Sequence, residues 1–345
     1  MQYITYNSTS IYNNGIIYIS KDSRDPVSAR YPVRLTGYYA ALIKQQGDAI
    51  WKQCMPDLLE LEDNSQCPDP LDEKGLSPVP CLIHRYPDRV VLLVSNRCAV
   101  YCRFCMRKRL VGCGDAPMGE DELRKALDYI TAHPSIHDVI LSGGDPLLLD
   151  DASLSKILAG LRTIPHVAII RIGTRVPVTL PERITPELCS MLRNFHPLYI
   201  NTHFNHPDEI TGESGTACAM LADAGIPLGN QTVLLRGVND SVETMRALMT
   251  GLLAIRVRPY YLHQMDLVQG TAHFRTSVRT GLEIIRGLRG HVSGMAVPHY
   301  VIDLPGGKGK VAILPDNVEM QGDTLLLRTY TGELVTYQDI TTPQE

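Results

Sequence analysis

From Val90 onward, short apolar runs rich in β-branched residues recur about thirty residues apart, the length of one strand-plus-helix unit. They are Val90-Val-Leu-Leu-Val94, Asp138-Val-Ile-Leu141, Ala168-Ile-Ile-Arg-Ile172, Leu198-Tyr-Ile-Asn201, Pro227 to Leu235 and Val257 to Leu262. The first reads as a buried strand. Segments of helical period lie between them: Leu154, Ile157, Leu158 and Leu161, then Leu188, Met191, Leu192 and Phe195. Thr185 supplies an N-cap and Pro186 the first helical position. Six β-α units with right-handed crossovers follow from this pattern. Six are too few for a closed eight-fold barrel, so the expected α/β fold is an open, partial (βα)6 TIM-like barrel. A doubly wound sheet is the alternative, because sequence does not show whether strands curl.

The flanks break the pattern. Thr324 to Tyr330 and Leu334 to Tyr337, joined through Thr331-Gly-Glu, read as a C-terminal β-hairpin. The first 85 or so residues form a less regular extension, with one helix near Gly37–Gln46 and a Pro- and acid-rich loop to Pro80. This divides the chain into residues 1–84, 85–295 and 296–345. With 44% hydrophobic residues in 345, a large core can be buried. A net charge of −4 argues against a nucleic-acid groove. No run reaches the eighteen or so apolar residues of a membrane span, and the polar opening is no signal peptide. Of nine cysteines, Cys54, Cys67, Cys81, Cys113, Cys189 and Cys218 form no disulfide framework, which suits a reducing cytoplasm.

Polar residues gather where the strands of a barrel end, the rim that carries active sites. The first strand leads into Cys98-Ala-Val-Tyr-Cys102-Arg-Phe-Cys105 and the second into Ser142-Gly-Gly-Asp145. Thr174-Arg175 and His203-Phe-Asn205 follow the third and fourth. Gln231 lies in the fifth, and Asp266 follows the sixth. Three thiolates on one short loop can hold three corners of an iron–sulfur cube and leave one iron open, whereas electron-transfer clusters use four cysteines. A zinc site with a histidine as fourth ligand is the alternative, but no second Cys-x2-Cys exists. Gly143 and Gly144 leave a backbone free of Cβ atoms where a ligand can approach. Asp303-Leu-Pro-Gly-Gly-Lys-Gly-Lys310 sets lysines in a glycine-rich loop, without the hydroxyl residue of a phosphate-binding P-loop. A Schiff-base lysine for pyridoxal phosphate (PLP) is another use of such a loop.

The cysteine spacing resembles the signature of radical S-adenosylmethionine (SAM) enzymes, in which the open iron chelates SAM. Over most of the chain, from about Ser77 to about Tyr337, the motifs are similar in order and spacing to the lysine 2,3-aminomutase family. They are Cys98 to Arg109, Leu141 to Asp145, Ile172 to Arg175, Asn201 to Asn205, Arg258 to Tyr261, Gly287 to Gly294 and Asp303 to Lys310. The resemblance implies an isomerase that converts L-lysine to β-lysine by a radical 1,2-shift of the amino group. Its cofactors are a [4Fe-4S] cluster on Cys98, Cys102 and Cys105, SAM and PLP. By position, Lys310 bonds PLP, although this chain also carries Lys308 where the family has glycine. Arg85, Tyr86 and Arg89 match residues that hold PLP. Phe104, Gly143, Gly144, Asp145, His203 and Gln231 match the SAM site. Arg107 matches the arginine that pairs with the substrate α-carboxylate. Asp266 and Asp303 match the pair that recognises the ε-ammonium, which the related glutamate aminomutases lack.

The partners implied are lysine and an electron donor such as flavodoxin or ferredoxin, with a homo-oligomer left open. Longer family members carry a C-terminal zinc segment with cysteines. The last cysteine here is Cys218, so no such zinc is expected. The alternative functions are an aminomutase acting on arginine or another cationic amino acid, supply of β-lysine to a translation-factor modification, and a non-enzymatic cluster- or zinc-binding module.

Overall fold

The computed structural model describes residues 12–13, 16–19, 25–63, 66–112, 117–315, 318–321 and 324–338; Cys113 lies outside them. All six expected strands are present. Arg89–Ser95, Asp138–Gly143, Ile169–Gly173, Leu198–Thr202, Leu228–Leu234 and Arg258–Gln264 pair in parallel in that order. A seventh parallel strand, His299–Asp303, joins the sixth and extends the expected fold. Antiparallel strands Leu82–Tyr86 and Lys310–Ala312 complete a nine-stranded sheet at its two edges.

The central strands are half-buried rather than buried on both faces, which corrects the reading of Val90–Val94. Val90, Leu92 and Val94 are covered, as are Val139, Leu141, Ile170, Ile172, Leu198 and Ile200. They share one core with Leu154, Leu158, Leu188, Leu192, Leu248 and Leu252 of the intervening helices. The alternate residues, among them Ser142, Arg171, Asn201, His203, Gln231 and His263, stay partly accessible on the other face. A period of two therefore separates a helix-packed face from a polar one. The expected helical stripe Leu154–Leu161 falls in helix Asp151–Arg162. Thr185 caps helix Pro186–Arg193, its hydroxyl accepting from the Leu188 amide at 3.2 Å.

Side chains at the two edges of the sheet meet. Arg85, on the strand at one edge, donates to Asp303 of the seventh strand at 3.0 Å. The Tyr86 hydroxyl accepts from the Lys310 amide, on the strand at the opposite edge, at 2.8 Å. The sheet is thus curled, as a barrel requires, and the flat alternative is excluded.

The N-terminal extension is more ordered than expected. Short helices Gly37–Ala41, Ala49–Cys54 and Leu59–Glu62 lie within it. The helix expected to reach Gln46 stops at Ala41, because the Asp48 carboxylate captures the amides of Lys44 and Gln45. That carboxylate then caps the next helix through Ile50 and Trp51. The C-terminal hairpin is present as Thr324–Arg328 paired with Leu334–Gln338, and Val318–Gln321 adds a third strand. Among the described residues no helix is long and apolar enough to cross a membrane.

Candidate active site

The first strand delivers the cysteine loop to the rim, and the extension grips it from behind. The Tyr101 amide donates to the Arg34 carbonyl and the Arg103 amide to that of Gln53, at 3.0 and 2.8 Å. Arg103 and Lys108 both close on the buried Glu60 carboxylate at 2.6 Å. Burial, reinforced by the charges of the neighbouring sulfurs, pushes the Cys105 thiol up to about 11 and that of Cys98 well above its ordinary value. Thiols crowded in this way are suited to a cationic cluster, which stabilises the thiolate form. Among the described residues no three His, Cys, Asp or Glu side chains converge on a single ion. The three corners of a cube lie on different irons, and three cysteines on one short loop supply one thiolate to each. Arg175 reaches the same loop: Nη1 lies 2.9 Å from Cys102 Sγ, while Nη2 pairs with the buried Glu209 at 2.6 Å.

The glycine pair has a structural cause. A Cβ on Gly143, whose φ is +124°, would stand 2.2 Å from the Ser95 carbonyl oxygen, and one on Gly144 would stand 2.2 Å from that of Arg97. The cysteine loop crosses the second strand where those side chains would be. The resemblance places Asp145 among the cofactor residues, but its buried carboxylate is committed elsewhere. It accepts from Thr174 Oγ1 at 2.6 Å, the Arg175 amide at 2.7 Å and the Leu147 amide at 3.1 Å. It ties the second strand end to the third.

Phe104 is buried with its ring 5.4 Å from that of His203 and 6.3 Å from that of Phe274. Burial and the nearby Arg175 charge hold His203 well below the usual imidazole value, so it is neutral. Its Nε2 is buried without a hydrogen-bond partner. An orphan nitrogen beside an aromatic face fits a nucleoside ligand such as the adenosyl group of SAM. Gln231 lies in register with Tyr261 on the polar face of the sheet.

A second group surrounds Asp303. Its Oδ1 accepts from Arg85 at 3.0 Å and Lys310 Nζ at 2.8 Å, and its Oδ2 lies 3.3 Å from His263 Nδ1. Burial alone would raise this carboxyl, but His263 and the Lys310 ammonium overrule it and hold it well below the carboxylate range. Asp266 behaves oppositely. Burial, with the Asp303 charge second, pushes it up to about 7, and Lys310, Arg85 and Glu73 are the other charges that act on it. Arg89 stacks over Tyr86 at 4.2 Å. Gly306, Gly307 and Gly309, in the loop before Lys310, all take positive φ, which favours glycine. Lys308 is exposed, whereas Lys310 Nζ is drawn inward by Asp303. Arg107 is paired with Glu73 at 2.7 Å rather than standing alone.

The structure thus gathers the cysteines, Phe104 and His203 in one group, and Arg85, Tyr86, Asp266, Asp303 and Lys310 in another. Glu73, Glu209 and His263 were missed by sequence reasoning. His263 alone had a signal, the inward register of its strand.

The curled parallel sheet with a three-cysteine loop at its rim defines a radical SAM enzyme, and the Radical SAM superfamily model matches residues 92–249. A second model, described as Lysine-2,3-aminomutase, matches residues 285–344. Over 309 residues the chain is 53% identical to the L-lysine 2,3-aminomutase of Fusobacterium nucleatum, covering 88% of this chain and 73% of that protein. The Clostridium subterminale L-lysine 2,3-aminomutase is also 53% identical, with 88% and 74% covered. A glutamate 2,3-aminomutase from Clostridioides difficile is 45% identical over 330 residues, covering 94% and 78%. The chain belongs to the lysine 2,3-aminomutase family of isomerases. That family works with a [4Fe-4S] cluster, SAM and PLP.

Proposed function

We propose that this protein converts L-lysine to β-lysine by moving the α-amino group to the β-carbon. The observation that carries the substrate choice is Asp303, which already binds a lysine-type ammonium, that of Lys310, at 2.8 Å. With Asp266 beside it, the site offers two carboxylates to a cationic tail, and a buried cation needs such paired charge. An acidic side chain would meet repulsion there.

Cys98, Cys102 and Cys105 would hold the cluster. Phe104, His203, Gln231 and the backbone at Gly143 and Gly144 would hold SAM, with Asp145 bracing that backbone. Arg85, Tyr86, Arg89 and Lys310 would hold PLP. When bound, these groups supply reversible hydrogen-atom removal from an unactivated carbon and delocalisation of the unpaired electron. The chain's own residues supply position. Arg107 fixes the α-carboxylate, and Asp266 and Asp303 fix the ε-ammonium, so one carbon is presented to the radical. Lys310 would bond PLP through the same Nζ that lies 2.8 Å from Asp303, so the lysine that would hold the cofactor and a carboxylate that would receive the ε-ammonium are side by side. The buried walls around Phe104 and His203 exclude water.

A flavodoxin- or ferredoxin-type donor is the proposed electron source. The reducing cytoplasm is the proposed compartment, in keeping with eight free cysteines among the described residues. The test is anaerobic turnover with SAM, PLP and dithionite on lysine, arginine, ornithine and glutamate. β-Lysine as the main product supports the reading. Its absence from protein carrying about four irons and four sulfides per chain overturns it.

A further inference from the structure

Arg107 is held by a carboxylate of its own chain. Glu73 is buried and Arg107 largely so, with side chains 5% and 13% exposed. Glu73 Oε1 accepts from Nε at 2.9 Å and from Nη2 at 2.7 Å, and Oε2 lies 3.2 Å from Nε. Oε2 also accepts from Arg109 Nη2 at 2.9 Å, and that guanidinium pairs with Asp69 at 3.1 Å. On the other side, Arg107 Nη1 donates to Ser142 Oγ at 3.0 Å. A guanidinium has five N–H donors. These contacts use Nε and one N–H of each terminal nitrogen, which leaves one N–H on Nη1 and one on Nη2. Two such donors are what a second carboxylate takes from an arginine fork.

We propose that Glu73 is the positioning residue for substrate carboxylate recognition: it fixes the Arg107 fork and reserves its two terminal N–H groups for the α-carboxylate of the amino acid. A free arginine side chain has rotamer freedom to lose on binding. Here Glu73, Ser142 and burial have removed that freedom before substrate arrives, which favours affinity by preorganisation. Glu73 comes from the N-terminal extension, so the extension takes part in substrate choice. The inference rests on the reading of Arg107 as the carboxylate-binding group.

The experiment compares wild-type, Glu73→Gln and Arg107→Gln proteins, each reconstituted with cluster, SAM and PLP, on lysine and on lysinamide, which lacks the carboxylate. Lysine affinity is also measured without turnover, from the change in PLP absorbance before reductant is added. For Glu73→Gln the expected results are at least a tenfold weaker lysine Kd, a matching rise in KM and a kcat within about twofold of wild type. The preference for lysine over lysinamide should fall by a similar factor, with iron content and cluster spectrum unchanged. Wild-type Kd and preference in Glu73→Gln overturn the proposal. If Arg107→Gln also keeps the preference, the reading of Arg107 itself fails. If only Arg107→Gln loses it, the Glu73 proposal alone fails. Should Glu73→Gln give no cluster-loaded protein, Glu73→Asp, which keeps the charge but is one carbon shorter, carries the same two outcomes.

Discussion

Asp266 and Asp303 are neighbours whose surroundings drive them apart. Asp303 is ionised by its bonds to His263 and Lys310, and that charge helps raise Asp266 to about 7. The folded value of Asp266 lies above its ordinary one of about 3.9, so its contribution to stability is present below about pH 4 and is lost as pH rises through about 7. For function the sign reverses, since an ammonium binds the ionised form and releases the proton. Lysine KM should therefore fall as pH rises from about 6 to about 8, by up to about tenfold per unit on the acid side. Asp266→Asn should flatten that profile, as read by KM at constant ionic strength. A second residue-scale expectation concerns the lysine pair. Lys310→Ala should abolish the PLP absorbance band of the substrate-free protein and Lys308→Ala should leave it, because only Lys310 points at Asp303; difference spectra decide. Asp303 and Lys310 were legible because they flank one short glycine-rich loop, seven residues apart. Glu73 was not. Its partner lies 34 positions away, and a carboxylate in an acid-rich loop looks solvated until the fold buries it.

At the scale of elements, the six predicted strands carried their own evidence in β-branched runs at regular spacing. The seventh, His-Tyr-Val-Ile-Asp, did not, since it is framed by Pro298 and Pro305, which read as loop punctuation. The short helices of the extension escaped for a related reason: at four to six residues none shows a helical period. The crossing between the cysteine loop and the second strand gives a further prediction. Gly143→Ala and Gly144→Ala each place a methyl 2.2 Å from a carbonyl oxygen, that of Ser95 at the end of the first strand and that of Arg97 just before the cysteines, and backbone cannot yield as a side-chain tip can. Both variants should lose most of their cluster, measured as iron and sulfide per chain. A similar substitution at Gly306, which has open space around it, should retain the cluster, although its positive φ still favours glycine.

Over the whole molecule, the extension and the barrel are held together by buried charge as well as by apolar packing. Arg175 and Glu209 pair at 2.6 Å, and Arg175 Nη2 also meets Tyr39 Oη and Gln53 Oε1 of the extension. Removing one partner of a buried pair leaves the other uncompensated, at a cost of about 3–5 kcal/mol. Glu209→Gln should lower the anaerobic urea midpoint by a corresponding amount with the slope unchanged.

The contact of Arg85 with Asp303 gives the curled sheet a seam. Among the described residues no ladder hydrogen bonds cross it; the Arg85–Asp303 ion pair and the tyrosine bond to the Lys310 amide do. Changes on the seam can therefore alter charge and shape without unzipping any strand pair, while the cysteines and the His203 pocket sit on the uninterrupted part of the sheet. Such a molecule can keep its radical generator constant and be refitted to a different amino acid by exchanging a handful of residues along one line.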